Sequence, residues 1–176
     1  LGESLQIAST NKIDSICTQL GLSSSDHLLE IGTGWGGLAI HAAEQYGCRV
    51  TTTTISEEQF DYVESLISQR GLQNQVTLLK KDYRELQGKY DKLVSVEMIE
   101  AVGLKFIPEF FKRCSSLLSS NGLMLVQAIT MEEQRFQKAK NSVDFIQRYI
   151  FPGGALPTLT GLTVAATRNT DLRPLD

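Results

Sequence analysis

The chain reads as an open, doubly wound α/β sheet, and three observations point there. Apolar strand-like runs alternate with helical patterns along the first 150 residues, the first run ends in a cluster of glycines that opens a helix, and 176 residues suit one domain. Strand patterns fall at 27–32, 48–54, 75–80, 90–96 and 122–129, and helical ones at 35–46, 56–70, 104–119 and 132–147. Strands separated by helices at this spacing predict parallel pairing through right-handed crossovers.

Each element has its own signal. Leu5, Ile13, Ile16, Cys17 and Leu20 lie near a helical period and Gly21 stops it, so a leading helix precedes the first strand. Ser56 followed by Gln59 makes a capping box for the helix at 56–70, and Gly71 closes it. Asn121-Gly122 predicts a tight entry into the fifth strand. Phe151-Pro152-Gly153-Gly154-Ala155-Leu156-Pro157 is a loop, and the last twenty residues offer one weak apolar run around Leu162 to Ala166. The expected layout is a core over residues 1–160 and a divergent tail over 161–176, with the sheet cut short after its fifth strand.

Composition narrows the function classes. A hydrophobic content of 41% is that of a globular protein, and 17 basic against 20 acidic residues, net −3, argue against a general electrostatic grip on nucleic acid. No nucleic-acid partner is expected. Cys17, Cys48 and Cys114 are odd in number and far apart, which predicts buried thiols rather than a disulfide framework or a metal site. His27 and His41 read as structural. No basic or apolar leader and no run of membrane-spanning length are present, which points to a cytoplasmic protein, while the missing start Met points to a fragment.

The glycine cluster carries the chemistry. Leu28-Leu29-Glu30-Ile31-Gly32-Thr33-Gly34-Trp35-Gly36-Gly37 formally matches the dinucleotide pattern G-x-G-x-x-G, with Gly37 in sixth place. Glu30, two residues before the first glycine, favours another reading, the E-x-G-x-G-x-G motif of class I methyltransferases. Their cofactor, S-adenosylmethionine, carries a sulfonium and an ammonium but no pyrophosphate, so an acid near the strand end suits it. The second strand ends in Thr51-Thr52-Thr53-Thr54-Ile55-Ser56 without the acid that a dinucleotide ribose would want. Glu57 and Glu58 follow, either as favourable charge at a helix start or as ribose contacts.

Longer blocks are more specific. Leu29 to Ala39, Thr54 to Gln59, Lys81-Asp82-Tyr83-Arg84-Glu85-Leu86, Val94-Ser95-Val96-Glu97-Met98-Ile99-Glu100-Ala101-Val102-Gly103 and Asp144 to Pro157 together resemble the cyclopropane fatty acid synthase family of class I methyltransferases, which includes the mycolic acid cyclopropane synthases. Tyr149-Ile150-Phe151-Pro152-Gly153-Gly154-Ala155-Leu156-Pro157 is the most diagnostic block, since the fold alone does not demand it. The resemblance implies a Rossmann-like, mainly parallel sheet. It places the cofactor's methionine end over Gly32, Gly34 and Gly36, its ribose near Thr54 and Gln59, and its adenine beside Asp82, Tyr83 and Arg84, with Glu30, Trp35 and Ser56 completing the cofactor-binding set. The reaction it implies moves a methyl carbon onto the cis double bond of an unsaturated phospholipid acyl chain, with ring closure after loss of a proton, and peripheral contact with a membrane.

The family's base is a bicarbonate ion held by a Glu, a His and a Tyr. Glu100 matches the Glu. Ala101 and Gln127 stand where the best-known members have His, and the family's Tyr has no counterpart up to Asp176, which puts bicarbonate binding in doubt. Gln127 can exchange hydrogen bonds but cannot shuttle a proton. Glu100 and Gln127 are therefore the candidate catalytic residues, with Glu97 read as either a functional or an ordinary loop acid. Two other readings remain: a class I methyltransferase with a different small-molecule acceptor, or a cofactor-binding remnant without activity.

Overall fold

The computed structural model describes residues 4–139 and 154–175. It falls into two compact units, one comprising residues up to Val94 with Leu118–Leu125, the other Ser95–Leu117 with the chain from Val126 onward.

The first unit holds helix α1 (Leu5–Gln19), strand β1 (His27–Ile31), α2 (Gly37–Tyr46), β2 (Arg49–Thr54), α3 (Glu57–Gln69), β3 (Val76–Lys80) and most of β4 (Tyr90–Val96) and β5 (Leu118–Gln127). The strand order is β3-β2-β1-β4-β5. β1 pairs in parallel with β2 and β4, and β2 with β3, in the register Glu30 to Thr52 and Glu30 to Val94. This is the doubly wound sheet the alternating pattern predicts. β1 lies at the centre and is covered on both sides, which explains its unbroken apolar run: Leu28, Leu29 and Ile31 are all buried.

β2 is unusual for a buried strand because four consecutive threonines, Thr51 to Thr54, are all buried. Each hydroxyl then requires a partner. Thr51 shares a 2.9 Å bond with the His27 ring, Thr52 donates to Glu30 at 2.6 Å, Thr53 to the Lys81 carbonyl at 2.5 Å and Thr54 to Gln59 at 2.7 Å. His27 and His41 hold structure as expected: His27 also meets Tyr90 edge-on, and His41 bonds Asp14, which Tyr46 also bonds. All three cysteines are buried and free, and burial pushes Cys17 up to about 12 and Cys48 to about 11.

The second unit contains α4 (Ile99–Val102), a short turn of 3-10 helix (Leu104–Phe106), α5 (Ile107–Leu117), α6 (Glu133–Ala139) and α7 (Leu159–Asn169). Three sequence expectations need correction. β5 starts at Leu118, so Asn121-Gly122 lies inside the strand instead of at its entry; a Cβ on Gly122 would come within 2.8 Å of Leu118 Cδ2 and 3.2 Å of the Asp91 carbonyl. Helix α2 starts at Gly37, two residues later than the pattern suggests, because Gly34 and Gly36 adopt positive φ. The tail is a helix despite its threonines and Gly161. Thr158 caps it by accepting the Gly161 N–H at 3.0 Å, Thr163 and Thr167 donate back to carbonyls one turn earlier, and α7 packs on α5 through Ala165 and Ala166. The predicted helix at 132–147 is described only over Glu133–Ala139, and the Asp144 to Pro157 block lies outside the described residues up to Gly153. Among the described residues no helix is long and apolar enough to cross a membrane, and no cluster could hold a metal ion.

Candidate functional site

In the first unit the candidate residues gather at the C-terminal ends of β1, β2 and β3, where open parallel sheets bind ligands. The turn after β1 is anchored underneath by two N–H groups, Gly32 and Thr33, that both donate to the Thr53 carbonyl at 3.2 and 2.9 Å. Gly32, Gly34 and Gly36 have φ of 99, 53 and 82°, the left-handed region that a side chain makes costly. Their surroundings differ. A Cβ on Gly36 would sit 3.1 Å from both methyls of Val63, whereas one on Gly34 would meet nothing within 4 Å. Gly36 lets the turn close onto α3, and Gly34 leaves backbone open to a ligand.

Glu30 does not face that opening directly. It is 4% exposed, accepts the Thr52 hydroxyl, and Thr52 in turn accepts from Thr33 at 2.6 Å. Burial pushes its carboxyl up to about 8, the Thr52 bond pulling the other way. Thr33 and Thr52 thus belong to the site, although nothing in their sequence pattern marks them. Trp35 is 60% exposed on the turn and meets Tyr62 of α3 edge-on, centroids 5.4 Å apart.

At the end of β2 the structure brings Thr54, Ser56 and Gln59 together. Ser56 caps α3, accepting the Gln59 N–H at 3.2 Å, but the Gln59 side chain does not close the capping box itself. It takes the Thr54 hydroxyl, and Thr54 accepts the Ser56 N–H at 3.1 Å, so the box closes through Thr54. Glu58 accepts from Ser56, and Glu57 forms an ion pair with Lys80. After β3, Asp82 caps the short turn Tyr83–Glu85 and receives Arg84 on both oxygens, at 2.9 and 2.6 Å. That guanidinium holds the Asp82 carboxyl below its usual range.

In the second unit, Glu97 bonds Gln127, and Glu100 bonds Ile129 two residues further on. Glu97 is the one non-glycine residue with positive φ among the described residues, at 49°, a conformation that costs such a residue about 1–3 kcal/mol. Its N–H donates to the Gln127 carbonyl at 2.8 Å, and Gln127 Nε2 donates to its Oε1 at 2.8 Å. Glu100 Oε1 accepts the Ile129 N–H, and the Glu100 carbonyl accepts the Ala155 N–H at 2.9 Å. Glu100 Oε2 is buried with no hydrogen-bond partner among the described residues. A buried carboxylate oxygen without a donor is costly, and it marks a place where a ligand could supply one or where positive charge could be met.

The family model for mycolic acid cyclopropane synthetase matches residues 2–174. The chain belongs to this family. Among its relatives, tuberculostearic acid methyltransferase UfaA1 of Mycobacterium tuberculosis is 38% identical over 172 residues, covering 98% of the chain and 40% of that protein. Cyclopropane-fatty-acyl-phospholipid synthase of Escherichia coli is 36% identical over 158 residues, 89% of the chain and 39% of that protein. The solved structure of mycolic acid cyclopropane synthase CmaA1 with SAH and CTAB superposes with a TM-score of 0.87 at 28% identity, over 95% of the chain and 62% of that one. The chain therefore spans about 40% of the length of these curated relatives. Membership of this methyltransferase family and the class I fold both agree with what the glycine loop and the Glu100 block imply.

Proposed function

We propose that the protein carries out S-adenosylmethionine-dependent transfer of a methyl or methylene group to the cis double bond of an unsaturated phospholipid acyl chain. The observation that carries this reading is the Glu100 carboxylate in α4, just after β4, one oxygen fixed by the Ile129 N–H and the other buried with no partner among the described residues. Family membership supports it, as do relatives named for acyl-chain methylation and cyclopropanation and a neighbour solved with SAH and a long-chain detergent.

The residues suit the cofactor. Positive-φ glycines with open space at Gly34 admit backbone close to a ligand, and hydroxyl and amide groups at Thr54 and Gln59 suit ribose. Trp35 and Tyr83 offer aromatic faces, with Asp82 and Arg84 flanking Tyr83. S-adenosylmethionine, when bound, supplies an electrophilic methyl on sulfur. Glu100 would supply a fixed carboxylate able to offset positive charge developing on an alkene substrate, the kind of preorganised electrostatic stabilisation that is worth most away from water.

Bicarbonate fits the described residues poorly. One of the two Gln127 Nε2 hydrogens and the Ile129 N–H, donors close to such a site in sequence, are already given to Glu97 and Glu100. The same commitment of Gln127, with Ala101 in place of an imidazole, is what favours the second reading, methylation of a different small acceptor. Peripheral contact with a membrane follows from the lipid reading.

The test is to incubate the protein with methyl-labelled S-adenosylmethionine and vesicles of a cis-monounsaturated phospholipid and to analyse the acyl chains by mass. Gain of one CH2 unit is expected. Cofactor binding without any such gain would favour the second reading.

A further inference from the structure

Glu97 occupies a backbone conformation suited to glycine, yet its side chain is used. We propose that Glu97 is a positioning residue: through its paired bonds with Gln127 it fixes the segment after β5 in the register that delivers the Ile129 N–H to one oxygen of Glu100 and leaves the other for the reaction. The proposal rests on the role given above to Glu100.

The geometry is one of alternate residues. In extended chain, the peptide groups of residues two apart point to the same side. The Gln127 carbonyl accepts from Glu97, the Ile129 N–H donates to Glu100 Oε1, and the Met131 N–H donates to the Pro157 carbonyl at 2.8 Å. Gln127, Ile129 and Met131 are thus each held by a hydrogen bond, although the chain beyond Gln127 is no longer strand. A shift of this segment would take the Ile129 N–H away from Glu100.

At its start, where β5 ends, the segment is held by Glu97. Its N–H to the Gln127 carbonyl and the return bond from Gln127 Nε2 to its Oε1 form a two-point clamp, and a single bond would allow rotation about it. Glu97 makes both bonds with its backbone in the left-handed region. Glycine at this position would adopt the backbone more easily but could make only the first of the two bonds. The side chain therefore acts on Glu100 indirectly, through Gln127 and Ile129.

Three variants separate this role from a simple structural one. Glu97→Gly keeps the favourable backbone and loses the acceptor; Glu97→Gln keeps the acceptor and loses the charge; Gln127→Leu removes the donor. Amide exchange at Ile129, followed by NMR, is expected to quicken about tenfold in Glu97→Gly and Gln127→Leu and to stay at the parent rate in Glu97→Gln. In the lipid assay, kcat is expected to fall about tenfold in the first two, with KM for S-adenosylmethionine unchanged, and to be largely recovered in Glu97→Gln. Parent-rate exchange at Ile129 in Glu97→Gly would overturn the proposal. So would a Glu97→Gln protein as impaired as Glu97→Gly, since the charge rather than the clamp would then matter. Failure of the underlying role of Glu100 is seen separately, as Glu100→Gln turning over lipid at the parent rate, and the exchange measurement reads the clamp without reference to turnover.

Discussion

Two strand ends in this protein carry an acid and a left-handed backbone, and they solve the same problem in opposite ways. After β1, glycines take the positive φ and the acid, Glu30, is buried and bonded inward to Thr52. After β4, a glutamate, Glu97, takes the positive φ itself, and the second acid, Glu100, keeps a buried oxygen without a partner among the described residues. The first turn is relaxed and holds shape; the second is strained and holds unmet polarity. Unmet polarity suits the place where charge develops in a reaction, and relaxed backbone suits a place where a ligand is merely seated.

The largest expected effect separates Glu30 from an ordinary surface acid. Its folded carboxyl titrates at about 8 against a normal 4.5, so between those values the unfolded chain binds fewer protons than the folded one. The Glu30 contribution to stability is then greatest below 4.5 and falls as pH rises to about 8, by roughly 1.4 kcal/mol per unit within the window. Denaturant unfolding of Glu30→Gln across that range should lose this slope; a parent-like slope would mean that Glu30 is solvated and the inward bonding wrong.

A smaller effect tests the glycine turn. Gly36→Ala combines positive φ with a Cβ 3.1 Å from Val63 and should cost about 2 kcal/mol, part of it recovered in a Val63→Ala background. The corresponding change at the other turn, Glu97→Gly, releases strain but loses one hydrogen bond, and these should cancel to within about 1 kcal/mol. A large loss of stability there would remove the contrast between the two turns. Smallest in stability is Gln59→Leu, about 1 kcal/mol or less because Ser56 still caps α3, but calorimetry should find S-adenosylmethionine binding weakened about tenfold if the Thr54 and Gln59 pair holds ribose.

The contrast also explains what could be read from the residues. Strand positions and the β1 turn follow from apolar runs and glycines, whose physical meaning is local, so the doubly wound sheet and the Gly32 to Gly36 loop were legible, while the strand order was not. Thr33 and Thr52 were not, because their place in the site depends on the β1 to β2 register that sets Thr52 beside Glu30. Glu97 was ambiguous for a different reason: a glutamate gives no sign of a left-handed backbone, and its partner Gln127 lies 30 residues away. Helix α7 was hidden by threonines and a glycine, and the cap at Thr158 and its packing on α5 outweigh their poor propensity.

The account turns on Glu100, and Glu100→Gln tests it most directly because it preserves shape and the acceptor for the Ile129 N–H. Single-turnover transfer of labelled methyl into phospholipid acyl chains, measured beside the dissociation constant for S-adenosylmethionine, should fall by about a hundredfold or more while cofactor affinity stays within about twofold. Transfer at the parent rate with the cofactor bound would contradict the account.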